Sequence, residues 1–384
     1  MRVLHVIPSV EERSGGPATA IVPMCRALQQ EGIEVLLVTT DAGLNVSTIS
    51  GGDHNGVPSI VFPSQLGESF KYSRPLTSWL HSNIHQFSVA HIHAVFNHSS
   101  VAAAHVCRRA GIPYIVRPLG TLEPWSMSQK PVRKRLFWQV SGKGMLRRAA
   151  AVHYTTDAEK LSTERLLGLN HGRVIALGIE TNSTPASAEV TQHFPEFASE
   201  PYVLVLSRLH PKKGLDVLID AFLTLIEDPK FAPWRLVIAG DGPPSYVLKL
   251  KGMVAASAHA DRVAFTGWLD GAKKDALLSG ASLLVLPSYQ ENFGLCVLEA
   301  LSHSVPVLVS PHVNLAREIV LANAGWIATV NKDSLITRLA EALGDDEERA
   351  RRGLAGKQLS QKYSWENSAK SLVNLYRQVS TPLL

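Results

Sequence analysis

Two carboxylates and two cations in this chain stand where they could handle a phosphate. Ser282 to Leu286 is a short apolar run of the kind that forms a buried strand in a parallel sheet. Pro287 stops it, residues 288–292 are polar, and from Phe293 the apolar residues Leu295, Leu298 and Leu301 recur at helical spacing. The spacing predicts strand, loop and helix in succession. A loop that feeds a helix at the carboxyl end of a parallel strand is where open α/β sheets bind ligands. The first amides of that helix lack internal partners and carry partial positive charge, which suits an anion. Gly294 lets a ligand come close to the backbone. Glu291 stands just before the helix, and Glu299 lies one turn above Leu295 on the same side. Taken singly, Glu291 complements a helix dipole and Glu299 is a solvated helix residue. Their pairing around one helix start points to a site. A second loop, Ser207 to Gly214, also follows an apolar strand and opens a helix. It carries Arg208, a planar fork of donors, and Lys213, a point charge.

The pattern E-N-F-G-L-x-x-x-E-A over residues 291–300 resembles the E-x7-E signature of the family-4 retaining glycosyltransferases, which have the GT-B fold and include bacterial cell-envelope and exopolysaccharide enzymes. Arg208 to Gly214 is similar to the R-x-x-x-x-K-G element of that family, and Gly240-Asp241-Gly242-Pro243 to its G-x-G-P turn. Gly267-Trp268-Leu269 is similar to the stretch whose backbone meets the nucleotide base. The resemblance is tightest over about residues 203–300 and looser in the N-terminal half. It implies that Arg208 and Lys213 neutralise the donor diphosphate as its glycosidic bond breaks. It implies that Glu299 accepts from ribose hydroxyls and that Glu291 touches the donor sugar. Asn292, Phe293, Gly294 and Leu295 would offer amides near the sugar and phosphate. Gly15 and Gly16, in the loop after the first strand, would sit against the diphosphate. That loop is not G-x-G-x-x-G, so a dinucleotide fingerprint is absent.

The family also carries a histidine that faces the reacting sugar after the strand Val89–His93. His93 and His98 both fit that place. His98 is preferred, because at a helix start the dipole disfavours a charged imidazole. His91 lies deeper in the strand and reads as structural. Arg117 and Gly120, in the loop after the next strand, are assigned to the acceptor or sugar side. The resemblance implies work without a bound metal, and no D-x-D motif stands in the N-terminal half, so no metal is expected; no cofactor is expected either.

The 384 residues suffice for two domains, and apolar and charged contents of 45% and 18% fit a globular chain. Cys25, Cys107 and Cys296 are isolated and suggest no disulfide framework, which favours a reducing, cytoplasmic home. Strands alternate with helices throughout, which predicts α/β architecture: two Rossmann-like doubly wound domains facing each other across a cleft. The expected domains are 1–181 on the acceptor side and 201–363 on the nucleotide-sugar side. Residues 182–200 are the expected linker, and the last helix, about 364–384, is a candidate to pack back on the first domain.

Between Glu123 and Asp157 there is no acidic residue, while Lys130, Arg133, Lys134, Arg135, Lys143, Arg147 and Arg148 all fall there. This is either a solvated helix face or a surface for anionic lipid or a phosphorylated acceptor, placing the chain peripherally at the inner face of the membrane. No nucleic-acid motif accompanies these residues, so nucleic acid is not an expected partner. The reading is a metal-independent retaining hexosyltransferase. It moves sugar from a nucleotide diphosphate donor, UDP-glucose or another UDP-sugar, to a saccharide or lipid-linked acceptor. The alternatives are a nucleotide-sugar epimerase of the same fold or an inactive transferase-like binding subunit.

Overall fold

The structure is a computed structural model that describes residues 1–11, 15–41, 49–65, 70–129, 131–180, 192–197 and 199–381. Lys130, residues 182–191 and 198 of the expected linker, and the last three positions of the expected 364–384 helix lie outside the described residues. The chain divides into two compact units, Met1–Gly178 with Ser364–Leu384, and Ile179–Tyr363.

The first unit holds one sheet built from β1 (Arg2–Val6), β2 (Glu34–Thr40), β3 (Ser50–His54), β4 (Val57–Phe62), β5 (Val89–His93), β6 (Tyr114–Arg117), β7 (Ala151–Tyr154) and β8 (Gly172–Val174). Their order across the sheet is β3-β4-β2-β1-β5-β6-β7-β8. All neighbours run parallel except β3 and β4. The β3–β4 hairpin was not anticipated. Its turn, Asn55-Gly56, has positive φ at both residues, the conformation an Asn-Gly pair favours between strands. The apolar run Val174–Leu177 has the composition of a strand, yet ladder pairing in β8 stops at Val174. Ile175 still donates its amide to Tyr154 O.

The second unit holds β9 (Tyr202–Leu206), β10 (Arg235–Ala239), β11 (Val263–Gly267), β12 (Leu283–Leu286), β13 (Val307–Val309) and β14 (Gly325–Ile327). All are parallel, in the order β11-β10-β9-β12-β13-β14. Both central strands read as continuous apolar runs because helices cover both faces of a parallel sheet. Leu204 and Leu284 pair in register, and every residue of β12 is buried.

Each sheet reverses its winding once. The chain moves outward on one side of β1 and returns to the other side at β5; it does the same at β9 and β12. Ligands of open α/β sheets bind outside the carboxyl ends of the strands at such reversals. The described part of residues 192–200 is not a free tether: Phe194 and Phe197 are buried, and Phe197 packs 5.9 Å from Tyr202 at the start of β9. The helix Trp365–Ser380 belongs to the first unit, with Leu372, Val373 and Tyr376 buried on its inner face.

Candidate functional site

The winding reversal of the second sheet brings together the loops after β9 and β12. The first contains Arg208 and Lys213, and the second contains Glu291. Lys213 Nζ and the Glu291 carboxylate form a hydrogen-bonded ion pair, both side chains mostly buried. Burial alone would raise the Glu291 carboxyl, but Lys213 first, then Lys212 and Arg208, hold it below the usual carboxylate range. Arg208 is exposed and takes part in no ion pair among the described residues. The two loops are fastened by Tyr289 N–H donating to Lys212 O at 2.8 Å. Glu291 is held from its other side: its amide donates to His312 O at 2.9 Å, and its carbonyl accepts from Asn314 N at 3.0 Å. A carboxylate this constrained is set in place before any ligand arrives.

Gly294 has φ +72° and caps the helix Leu295–Ser302 without any side-chain bond to the first turn. Phe293 and Gly294 are buried, and Asn292 and Leu295 are half-buried. Phe293 packs at 5.9 Å on Tyr363, so its ring serves the core. Glu299, further along the helix, pairs with Lys274 at 3.0 Å. Burial pulls the Lys274 ammonium down, but Glu299 outweighs it and leaves Lys274 above the ordinary lysine value. Lys274 was not anticipated: nothing in its local sequence separates it from Lys273.

The glycines of the G-x-G-P turn have a packing reason. A Cβ at Gly240 would stand 1.9 Å from Ser207 O, and one at Gly242 would stand 2.0 Å from Leu209 O. Their bareness lets the turn after β10 lie against the Arg208 loop, where Leu209 N–H donates to Asp241 O at 2.8 Å. Gly240 N–H donates to Gly267 O at 2.8 Å, at the end of β11. Trp268 and Leu269 follow there, half-buried.

The reversal of the first sheet is built differently. Gly15, with φ 102°, caps the helix Gly16–Gln30 after β1. At the carboxyl end of β5 lies a group of fully buried rings: His5, His91, His93, His153 and Tyr376. Burial lowers all four histidines, His5 and His153 to about 3, so the rings are neutral. Their tautomers follow from one fixed end. Ile175 O can only accept, so His153 donates to it from Nε2 at 2.8 Å. His153 Nδ1 then accepts from His91 Nε2 at 3.2 Å. His91 Nδ1 accepts the Tyr376 hydroxyl proton at 2.7 Å. The Tyr376 oxygen faces His5 Nε2 at 3.5 Å, and His5 Nδ1 accepts from His93 Nε2 at 3.1 Å. The chain ends at His93 Nδ1, a buried acceptor without a partner among the described residues.

Nitrogens of His5, His91 and His93 lie within 4.8 Å of one another, a spacing that would admit a metal ion. The hydrogen-bond chain engages every nitrogen of these three rings except His93 Nδ1, and the charge of Arg117 acts on all three. The cluster is therefore a poor cation site.

Arg117 pairs in register with His93 across β5 and β6, is buried, and has no partner for Nε among the described residues. Burial lowers it to about 10, against the pull of Glu159 and Tyr376. Glu159 accepts from Gly120 N at 2.7 Å, Thr155 N at 2.9 Å and Thr155 Oγ1 at 3.0 Å. Its carboxyl is nonetheless raised, because burial outweighs those donors. Gly120 is thus tethered to a carboxylate that was not anticipated. The signal was present in Thr156-x-x-Glu159, the spacing of a helix-capping pair, and Thr156 Oγ1 does accept from Glu159 N at 3.1 Å. His98 opens the helix His98–Ala110, half-buried, with its ring 4.4 Å from Tyr72. Its Nδ1 accepts from Ser73 N at 3.3 Å, and burial lowers its pKa.

Comparison with known proteins agrees with this architecture. Residues 188–359 match the family model "Glycosyl transferases group 1", and residues 15–178 match "Glycosyl transferase 4-like domain". Both halves are matched, and the chain belongs to the family-4 type of glycosyltransferases with the GT-B fold. It is 33% identical over 181 residues to an uncharacterised glycosyltransferase of Methanocaldococcus jannaschii, covering 46% of this chain and 45% of that one. The chain spans about half the length of this and similar curated relatives. A D-inositol 3-phosphate glycosyltransferase of Xylanimonas cellulosilytica is 22% identical and aligns over 96% of this chain and 92% of its own. The fold matches Anabaena HepE in complex with UDP and glucose, with TM-score 0.78, 19% identity and coverage of 98% and 100%.

Proposed function

We propose that the protein transfers a glycosyl group from a UDP-sugar to a saccharide or lipid-linked acceptor with retention of anomeric configuration. The observation that carries this reading is the convergence of Arg208, Lys213 and Glu291 on one winding reversal, beside the helix start at Gly294. Cations and helix amides suit a diphosphate, and their hold strengthens as charge develops on the leaving group. In the proposed step, the acceptor hydroxyl oxygen bonds to the anomeric carbon on the face the diphosphate leaves. The carbon–oxygen bond to the diphosphate breaks, and the acceptor proton passes to the departing phosphate oxygen. Arg208 and Lys213 steady that phosphate, and Glu291 orients Lys213 and meets sugar hydroxyls. The Glu299–Lys274 pair is assigned to the ribose.

The first unit is assigned to the acceptor side, with Gly15, Gly16, His93, His98, Arg117 and Gly120 as its residues. Of the two histidines, His93 has an unpartnered buried acceptor, whereas His98 already uses Nδ1 on Ser73. A family member of this kind fits envelope or exopolysaccharide synthesis at the cytoplasmic side of a membrane. Among the described residues no helix is long and apolar enough to cross one. The reading is tested by mass spectrometry of products from a panel of nucleotide sugars and acceptors, with anomeric configuration read by NMR. Epimerised donor with no acceptor product, or nucleotide binding without turnover, would replace it with the corresponding alternative.

A further inference from the structure

Residues 131–147 of the first unit form one continuous helical rod. An α-helix (Pro131–Phe137) runs into a turn wound i→i+5 (Trp138–Gly142) and then into a second α-helix (Lys143–Arg147). Its inner face is settled. Trp138, Met145 and Leu146 are buried in the core, and Phe137 packs 5.3 Å from Phe96. Lys134 donates to Ser126 O at 2.6 Å and lies over the Phe96 ring.

The outer face carries Val132, Leu136 and Val140, which are 80%, 66% and 76% exposed. One exposed apolar side chain is ordinary; a row of them along a helix is not how a solvated face is built. Val132 and Leu136 are one α-turn apart. The wider turn that follows takes more residues per revolution, so Val140 stays in line with Leu136 and does not drift round the rod. Arg133, Arg135, Arg147 and Arg148 are exposed around this ridge, Lys143 is half-buried, and no acidic residue falls between Glu123 and Asp157.

We propose that this face seats on an anionic lipid bilayer. Val132, Leu136 and Val140 enter the headgroup boundary, and the flanking arginines meet lipid phosphates. An apolar ridge bordered by charge of a single sign is the composition of a helix that lies in a membrane interface. A second copy of the chain fits badly, since identical faces would bring basic borders together. A small phosphorylated acceptor would account for the cations but leave the ridge exposed.

The test is co-sedimentation of the full chain with vesicles of equal parts phosphatidylglycerol and phosphatidylcholine, against vesicles of phosphatidylcholine alone. Binding should require the anionic lipid and weaken as salt is raised. The combined variant Val132→Ser, Leu136→Ser, Val140→Ser should keep the wild-type melting temperature, since these side chains touch solvent, and lose about tenfold or more in partitioning. Arg135→Gln and Arg147→Gln should each cost about fivefold. The proposal is overturned if the wild type stays in the supernatant or binds both vesicles equally. It is also overturned if the folded triple variant pellets like the wild type, or if sedimentation equilibrium shows the ridge holding a dimer instead.

Discussion

The two sheets reverse their winding in the same way and fill the reversal with opposite materials. In the second unit, Lys213, Glu291 and Arg208 are charged and reach solvent in part. In the first, beside the buried Arg117, four imidazoles and a phenol are fully buried, neutral and joined in one direction. Charge that must meet a charged ligand is kept near water and paired, because a buried unpaired ion is costly. A polar cluster that no water reaches must be neutral and satisfied almost throughout. The difference makes the two units respond to different perturbations, and each response can be measured.

The largest expected effect is on acid stability. A histidine whose folded pKa is depressed takes its proton more readily in the unfolded chain, so acid favours unfolding. Its contribution is full above the unfolded value of about 6.5 and is lost as pH falls below that. His5, His91, His93 and His153 all titrate this way. Together the four give an upper limit of about 5.5 kcal/mol per pH unit, at about 1.4 kcal/mol for each. The first unit should lose cooperative structure between about pH 6.5 and 5. Glu291 is depressed as an acid, so its contribution persists until the pH falls below the unfolded glutamate value of about 4.3. Hydrogen exchange followed by mass spectrometry across this range separates the two. Simultaneous opening of both units would remove the contrast.

Next in size is Lys213→Ala. Losing a donor to a developing anion typically costs about 2.7–4 kcal/mol, so turnover should fall about a hundredfold to a thousandfold while circular dichroism stays unchanged. Wild-type turnover from the folded variant would place the phosphate elsewhere. Tyr376→Phe comes third. It leaves His5 Nε2–H and His91 Nδ1 without their shared hydroxyl, at about 1–3 kcal/mol in urea unfolding. Donor KM should not move, and if it did, the ring cluster would be tied to nucleotide binding.

Smallest is Glu299→Gln. The Lys274–Glu299 pair is partly exposed, so its contribution to stability is below about 1 kcal/mol. The effect should be a several-fold rise in donor KM with kcat retained, read from initial rates.

The sites differ in how far they could be read beforehand. Arg208, Lys213, Glu291 and Gly294 were legible as a candidate site because each of their loops is a consecutive stretch bounded by an apolar strand and a periodic helix. The Asn55-Gly56 hairpin and the Thr156–Glu159 cap were equally local, and the signal was there to be used. Gly240 and Gly242 were noticed for a ligand, whereas their Cβ positions are filled by the carbonyls of a neighbouring loop. No spacing in the chain foretells that contact, because it depends on two strands lying side by side.

The sequence by itself determined the alternation of strands and helices, the family, and the two loops in which cations and a carboxylate follow strand ends. Those features arise from residues within one turn or one loop of each other. Only the tertiary structure decided that Tyr376 would reach His91 across a separation of 285 positions, that Glu159 would hold Gly120, and that Lys274 rather than Lys273 would pair with Glu299. Strand order and helix packing set those partners. Burial then made the histidines neutral, and the single carbonyl of Ile175 set the direction of every proton in their chain.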